Sequence, residues 1–218
     1  MKHNYQIILD KTIENLKREG KRPSLLLHAC CAPCSSYVLE YLCEFFDITL
    51  LFYNPNITVE KEHELRYKEL TRLVSDMGLE GNVGFADSKY EPERFFEIAR
   101  GLENVPEGGE RCKKCYALRL QKTAEIAARG GFDYFTTTLS ISPYKNAEWL
   151  NEIGGQAADK TGTRYLFSDF KKRGGYKRSC ELSEQFGLYR QDFCGCAYSK
   201  AERERKKREN TSDENFEI

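Results

Sequence analysis

A chain of 218 residues with nine cysteines, seven of them drawn into three tight groups, must place its thiols before anything else. Cys30, Cys31 and Cys34 form the first group, Cys112 and Cys115 the second, and Cys194 and Cys196 flank Gly195 in the third. Cys43 and Cys180 stand alone and read as packing residues. Thiolate is a soft ligand that selects zinc, copper(I) or iron-sulfur clusters. Seven grouped thiols exceed the four of a closed tetrahedral zinc site, so the surplus favours a redox or bimetallic centre. From spacing alone, a structural zinc, an iron-sulfur centre and thioredoxin-like exchange at Cys31-Ala32-Pro33-Cys34 all stay open.

The compartment bears on that choice. Met1 to Gln6 lead into a charged amphipathic segment instead of the apolar core of a signal peptide. No apolar stretch approaches the ~20 residues needed to span a bilayer. The expected location is therefore cytoplasmic, without a membrane partner, and there clustered cysteines argue for metal or catalysis over disulfides. Lys plus Arg and Asp plus Glu number 34 each, so net charge points to no polyanionic partner. A local patch does: Lys171, Lys172, Arg173, Lys177 and Arg178 surround Tyr176 with the composition of a phosphate-contacting loop, or of a plain solvated one.

Hydrophobic periodicity alternates between strand and helix. Leu9, Ile13 and Leu16 predict a helix, Ser24 to Leu27 a strand, Val38, Leu42 and Phe45 a helix, and Ile48 to Tyr53 a strand ended by Asn54-Pro55-Asn56. Thr58 is placed to cap a long helix with Leu70, Leu73, Val74 and Met77 on its core face, closed by Gly78. A strand near Val83 to Phe85, a helix from Pro92 to Arg100 and a helix opened by Cys112 and Cys115 follow. Tyr134 to Leu139 reads as strand, Ser142-Pro143 as the start of a helix to Gly154, Arg164 to Phe167 as strand and Ser179 to Phe186 as helix.

This order implies an α/β fold: a parallel, doubly wound, Rossmann-like sheet with helices on both faces. Residues 1–199 are read as a single α/β catalytic domain. Residues 200–218 are read as a charged C-terminal helix, with Glu202 and Lys206, then Glu204 and Arg208, four apart, and a frayed tail after Asn210. Ligands of such sheets bind beyond the carboxyl ends of the strands. The His28 to Cys34 and Ser140 to Lys145 segments each follow a strand and should share that edge.

Other chemistry is sparse. Only His3, His28 and His63 occur, and His28 reads better as a satisfied structural histidine than as a ligand. Neither the Walker pattern nor a Gly-x-Gly-x-x-Gly fingerprint is present, which argues against ATP. Asp169, Tyr144 and Lys145 follow strands on the proposed edge and are candidates to supply or orient protons, although Asp169 has an equal claim as a partner of the adjacent lysines. Asp133 precedes a strand at the opposite edge and reads as structural.

Taken in order, Leu26-Leu27-His28-Ala29-Cys30-Cys31-Ala32-Pro33-Cys34-Ser35, Asn54-Pro55-Asn56-Ile57, Glu110 to Leu120, Thr137 to Asn146, Asp169 to Tyr176 and Tyr189 to Ser199 resemble the cobalamin-independent epoxyqueuosine reductases, the QueH family. The resemblance runs from about residue 24 to 199. It implies a fold similar to the adenine nucleotide alpha hydrolases and, as reaction, reduction of the epoxide of epoxyqueuosine at the tRNA wobble position, the last step of queuosine biosynthesis. It implies a [4Fe-4S] cluster with an additional iron ion beside it, held by Cys30, Cys31, Cys34, Cys112, Cys115, Cys194 and Cys196, with no cobalamin and no ATP. Which thiols hold the cluster and which the iron is left open. The partners implied are tRNA carrying epoxyqueuosine, its phosphates on Lys171, Lys172, Arg173, Lys177 and Arg178, and an external electron donor. From other classes, a zinc-stabilised RNA-binding module and an iron-sulfur, ATP-dependent tRNA sulfurtransferase share parts of this pattern.

Overall fold

The computed structural model describes residues 4–213, with side chains for 4–208. Leu25, Leu26 and Leu27 are wholly buried in the first strand, β1 (Ser24–His28). A continuous apolar run of this kind marks a parallel strand covered on both faces. Each of these leucines contributes about 1.5–3 kcal/mol of burial. The remaining strands are β2 (Asp47–Leu51), β3 (Val83–Ala86), β4 (Tyr134–Thr137) and the short β5 (Arg164–Tyr165). All pair in parallel, in the order β3-β2-β1-β4-β5.

Period-two alternation divides the core. Leu25 and Leu27 face a layer with Leu9 and Ile13 of α1 (Tyr5–Glu19), Val38 and Leu39 of α2 (Ala32–Leu42) and Leu70 and Leu73 of α3 (Glu60–Asp76). Leu26 faces the other layer, with Leu120 and Ala124 of α5 (Glu110–Arg129) and Leu150 and Ile153 of α6 (Ala147–Thr161). Between α3 and α5 runs α4 (Pro92–Ala99), while α7 (Gly175–Gln185) and α8 (Ala197–Asp213) close the order. The doubly wound α/β sheet expected from periodicity is the fold observed. Its strand order reverses between β1 and β4, which creates the crevice where such sheets bind ligands.

Several boundaries move for physical reasons. α3 starts after Val59 rather than at a Thr58 cap, and no side chain caps it. β4 gives way after Thr137 to a 3₁₀ turn over Thr138–Ile141. α6 begins not at Ser142-Pro143 but after Asn146, whose side chain accepts the Trp149 N–H at 3.1 Å. It also continues through Gly154 to Thr161. A Cβ at Gly154 would lie 2.3 Å from the Tyr165 ring, so this glycine permits the helix to approach β5 and does not end it. α7 begins at Gly175, so Lys177 and Arg178 lie on a helix and not in a loop. The tail expected to fray falls largely outside the described residues.

Candidate metal centre

All three cysteine groups sit at helix N-termini. Cys31 is the N-cap of α2, Cys34 lies in its first turn, and Cys112 lies in the first turn of α5. Cys196 directly precedes α8, and its Sγ accepts the Ser199 N–H at 3.3 Å, as a capping side chain does. Unpaired N–H groups and partial positive charge at these ends favour thiolate. Cys112 accepts the Gly108 N–H at 3.3 Å, which offsets part of the upward push that burial gives its thiol.

The first group lies at the switch point. Cys30 follows β1 and is tied to the end of β4, its N–H donating to Thr138 Oγ1 at 3.2 Å and its Sγ accepting the Thr138 hydroxyl at 3.3 Å. The Sγ atoms of Cys30, Cys31 and Cys34 all lie within 4.8 Å of one another, the one such group among the described residues. Hydrogen bonds from Cys30 and Cys34 hold the Cys31 thiol well below its ordinary range, while donating pushes Cys30 up to about 12 and Cys34 well above its ordinary value. One shared thiolate is what three crowded, buried thiols sustain by themselves. Ionising all of them needs a counter-charge, and a soft metal ion supplies it. This group can hold a metal. Below it, His28 plays the structural role expected: Tyr53 O accepts from Nε2 at 3.0 Å, so Thr137 donates to Nδ1 at 2.8 Å, and burial holds the ring neutral with a pKa of about 3.

The third group is held from outside. Buried Arg66 of α3 donates to Cys194 O at 3.3 Å and Phe193 O at 3.4 Å, stacks over the Phe193 ring, and is neutralised by Glu62 at 2.7 Å. Asn56 Nδ2 donates to the same Cys194 carbonyl at 3.0 Å. Gly195 turns the chain at φ 103°, where a Cβ would lie 2.8 Å from Ile57 Cγ1. The two sulfurs are 3.5 Å apart. The hydrogen bond it shares with Cys196, aided by Lys145, lowers Cys194 to about 5 against the cost of burial. Cys194 lines the same cavity, of about 570 Å³, as Cys30, Cys31 and Cys34. Cys112 packs in the apolar cluster that Cys30 borders, and Cys115 packs with Cys196, so the three groups are contiguous.

Comparison with known proteins now decides the family. The family model described as epoxyqueuosine reductase QueH matches residues 25–202. Among curated proteins, the epoxyqueuosine reductase QueH of Streptococcus pyogenes is 44% identical over 91% of this chain and 78% of its own. That of Staphylococcus epidermidis is 41% identical over 91% and 85%, and that of Thermotoga maritima 34% over 84% and 93%. This chain is a member of the QueH family. Every cysteine of the three groups lies within the QueH match, as do the sheet but for Ser24 and the cavity lining but for Arg203 and Lys206.

The other predicted residues of this QueH chain do not gather at one point. Tyr144 is 78% exposed at the cavity mouth. Lys145 lies in the cavity wall, 3.0 Å from Glu107 Oε1. Burial opposes its charge, but the Cys194 thiolate, Tyr116 and Glu107 raise its pKa above the ordinary lysine value. Asp169 lines a neighbouring hollow that Lys145 also borders, and pairs with Lys171 at 2.9 Å. The basic stretch is largely compensated: Arg173 pairs with Asp10, Arg178 with Glu40 and Glu181, and Lys177 with Glu181 at 4.0 Å. Lys172 has no ion pair among the described residues and lines the same hollow. Asp133 is structural as read, accepting the Ser24 N–H and hydroxyl at 2.9 Å each.

Sequence reasoning passed over Arg66, Asn54, Asn56, Arg119 and Gln191, all of which line the cavity. A signal existed for two of them. Arg66 stands at helical spacing before Leu70 and Leu73, and Arg119 stands one turn after Cys115, so both arginines fall on core faces.

Proposed function

We propose that this chain is an epoxyqueuosine reductase that converts the epoxide of epoxyqueuosine at the wobble position of tRNA to queuosine, completing its biosynthesis. The observation that carries this reading is the convergence of Cys30, Cys31 and Cys34 on a cavity of about 570 Å³, within the range of small-ligand sites, at the sheet's switch point. It is supported by relatives that bear the name of this reaction over nearly the whole chain.

In the net reaction both epoxide C–O bonds break, a C=C bond forms and the oxygen leaves as water. Two electrons, from an external donor, and two protons are consumed. The seven thiols fit a [4Fe-4S] cluster with an additional iron beside it: the donor set is all sulfur and exceeds four ligands. Such a centre supplies electron transfer and a Lewis acid toward oxygen. The chain's own residues bind, orient and shield the substrate.

Lys145, held cationic in the wall, donates hydrogen bonds toward the departing oxygen and stabilises its charge. Asp169, bordering Lys145 from the next hollow, supports that proton path with Lys171. Tyr144 at the mouth offers a face on which a base can stack. Phosphates of the anticodon stem fall to Lys171, Lys172, Arg173, Lys177 and Arg178, of which Lys172 has no ion pair to give up among the described residues.

Anaerobic reconstitution with iron and sulfide, followed by assay on tRNA carrying the epoxide, tests the reading. A brown protein that forms queuosine is the expected outcome. A colourless protein with one zinc per chain and no turnover would overturn it.

A further inference from the structure

Among the described residues, Arg119 is a buried cation with no carboxylate paired to it. It is 3% exposed, one turn after Cys115 on α5. Its Nε–H donates to Cys115 O at 3.3 Å, its Nη1–H to Asn54 Oδ1 at 3.5 Å, and its Cζ lies 5.9 Å from the Tyr116 ring centroid. None of these partners is a carboxylate, and both hydrogen bonds are long. The other buried arginines differ: Arg66 is neutralised by Glu62 at 2.7 Å, and one nitrogen of Arg111 gathers the carbonyls of Leu102, Glu103 and Val105 to fasten a loop. An uncompensated charge in the interior is strongly disfavoured, so a counter-charge must come from what surrounds it.

What surrounds it is sulfur. Arg119 lines the cavity together with Cys30, Cys31, Cys34 and Cys194. Burial works against its charge, and Cys115, Cys30, Tyr116 and Cys194 restore it. With Cys115 O as its hydrogen-bond acceptor and the other two groups lining the same cavity, the guanidinium borders all three cysteine groups. Its site is also fixed, because Asn54, which accepts from it, donates to Ala29 O at 2.9 Å, directly before Cys30.

We infer that Arg119 is a positioning residue for the metal centre, the fixed counter-charge of its thiolates, and that it favours the reduced, more negative state of the iron-sulfur centre they hold. The inference rests on the iron-sulfur reading above. Adding one electron to a thiolate-bound cluster increases its negative charge with no bond broken. In a low-dielectric site a nearby permanent cation lowers the free energy of that state.

The test compares wild type, Arg119→Lys and Arg119→Gln, each reconstituted anaerobically with iron and sulfide and titrated with dithionite while the absorbance is followed. Reduction of the Gln variant should be at least tenfold less favourable, a midpoint about 59 mV more negative for one electron. The Lys variant should stay closer to wild type. Equal midpoints at equal iron content would overturn the inference, as would a raised KM with an unmoved midpoint, which would assign Arg119 to a substrate anion. Should the Gln variant load no iron, the Lys variant must still load it, and equal loss in both would reduce Arg119 to packing. A wild type that takes up no iron and sulfide overturns the iron-sulfur reading and this inference together. A loaded, active wild type with unmoved variants overturns this inference alone.

Discussion

Cys30 to Cys34 and Cys112 to Cys115 are placed by regular elements, whereas Cys194 and Cys196 are placed by side chains from far earlier in the chain. The first two groups need only a strand end or a helix start, with α2 and α5 packed on opposite faces of one sheet. The third needs Arg66 from α3, Asn56 from the loop before it, and the Thr58 N–H, which donates to Gly195 O at 3.2 Å. A thiol fixed by secondary structure inherits the stability of the whole sheet. A thiol held by a cradle depends on one buried guanidinium, so the two kinds should fail differently.

Cys112→Ser should break the comparison hardest, by showing that the groups form one site. Iron content and turnover are expected to fall together, by about a hundredfold or more in turnover if the residue is a ligand. Full iron with normal turnover would separate Cys112 from the site.

Arg66→Ala sharpens the contrast, since it releases only the third group. It takes the ion pair from Glu62, which keeps the Tyr189 hydroxyl, and one hydrogen bond from each of two carbonyls, and should cost about 3 kcal/mol in chemical denaturation. Cys30, Cys31 and Cys34 should keep their geometry. An unchanged denaturation midpoint would show that the Cys194 loop does not need its cradle.

Charge reversal at Lys171 and Lys172 probes the compensated surface against the cavity. KM should rise, and the slope of log KM against log salt should flatten by about 1 to 2. If neither moves, the phosphates are met elsewhere.

The smallest effect belongs to the opposite edge of the sheet. Asp133→Ala removes two hydrogen bonds to Ser24 and should cost about 0.5–1 kcal/mol, the low end because the carboxylate is half exposed. Those hydrogen bonds hold the carboxyl below its ordinary value of 3.8, so unfolded chains bind the proton first as pH falls. The stabilisation is therefore present above that value and lost as pH drops through the lower folded one. The gap between variant and wild type should close in acid, with iron content unchanged at neutral pH.

Much of the fold was legible because buried parallel strands and amphipathic helices write their periods into local sequence. Leu25 to Leu27 and the Leu70, Leu73 and Val74 face lie where those periods put them. Gly154 misled for a physical reason: glycine ends a helix by its backbone freedom, but here it serves by lacking a side chain where Tyr165 approaches. The ion pairs of the basic stretch were not legible, because charge composition is local whereas its partners Asp10 and Glu40 arrive from α1 and α2. The site was legible in its thiols and not in its arginines, because cysteine announces soft-metal chemistry by type and an arginine acquires meaning only from what it faces.

By itself the sequence determined the strand-helix alternation, the three thiol groups and membership of one family. Short-range sterics, burial and residue chemistry suffice for those. The tertiary structure decided that Cys30, Cys31 and Cys34 share a cavity with Cys194, that Arg66 carries the Cys194 loop and that Arg119 lines the same cavity. Those facts depend on contacts between segments tens of residues apart, which only the closing of the sheet and the desolvation of its switch point bring about.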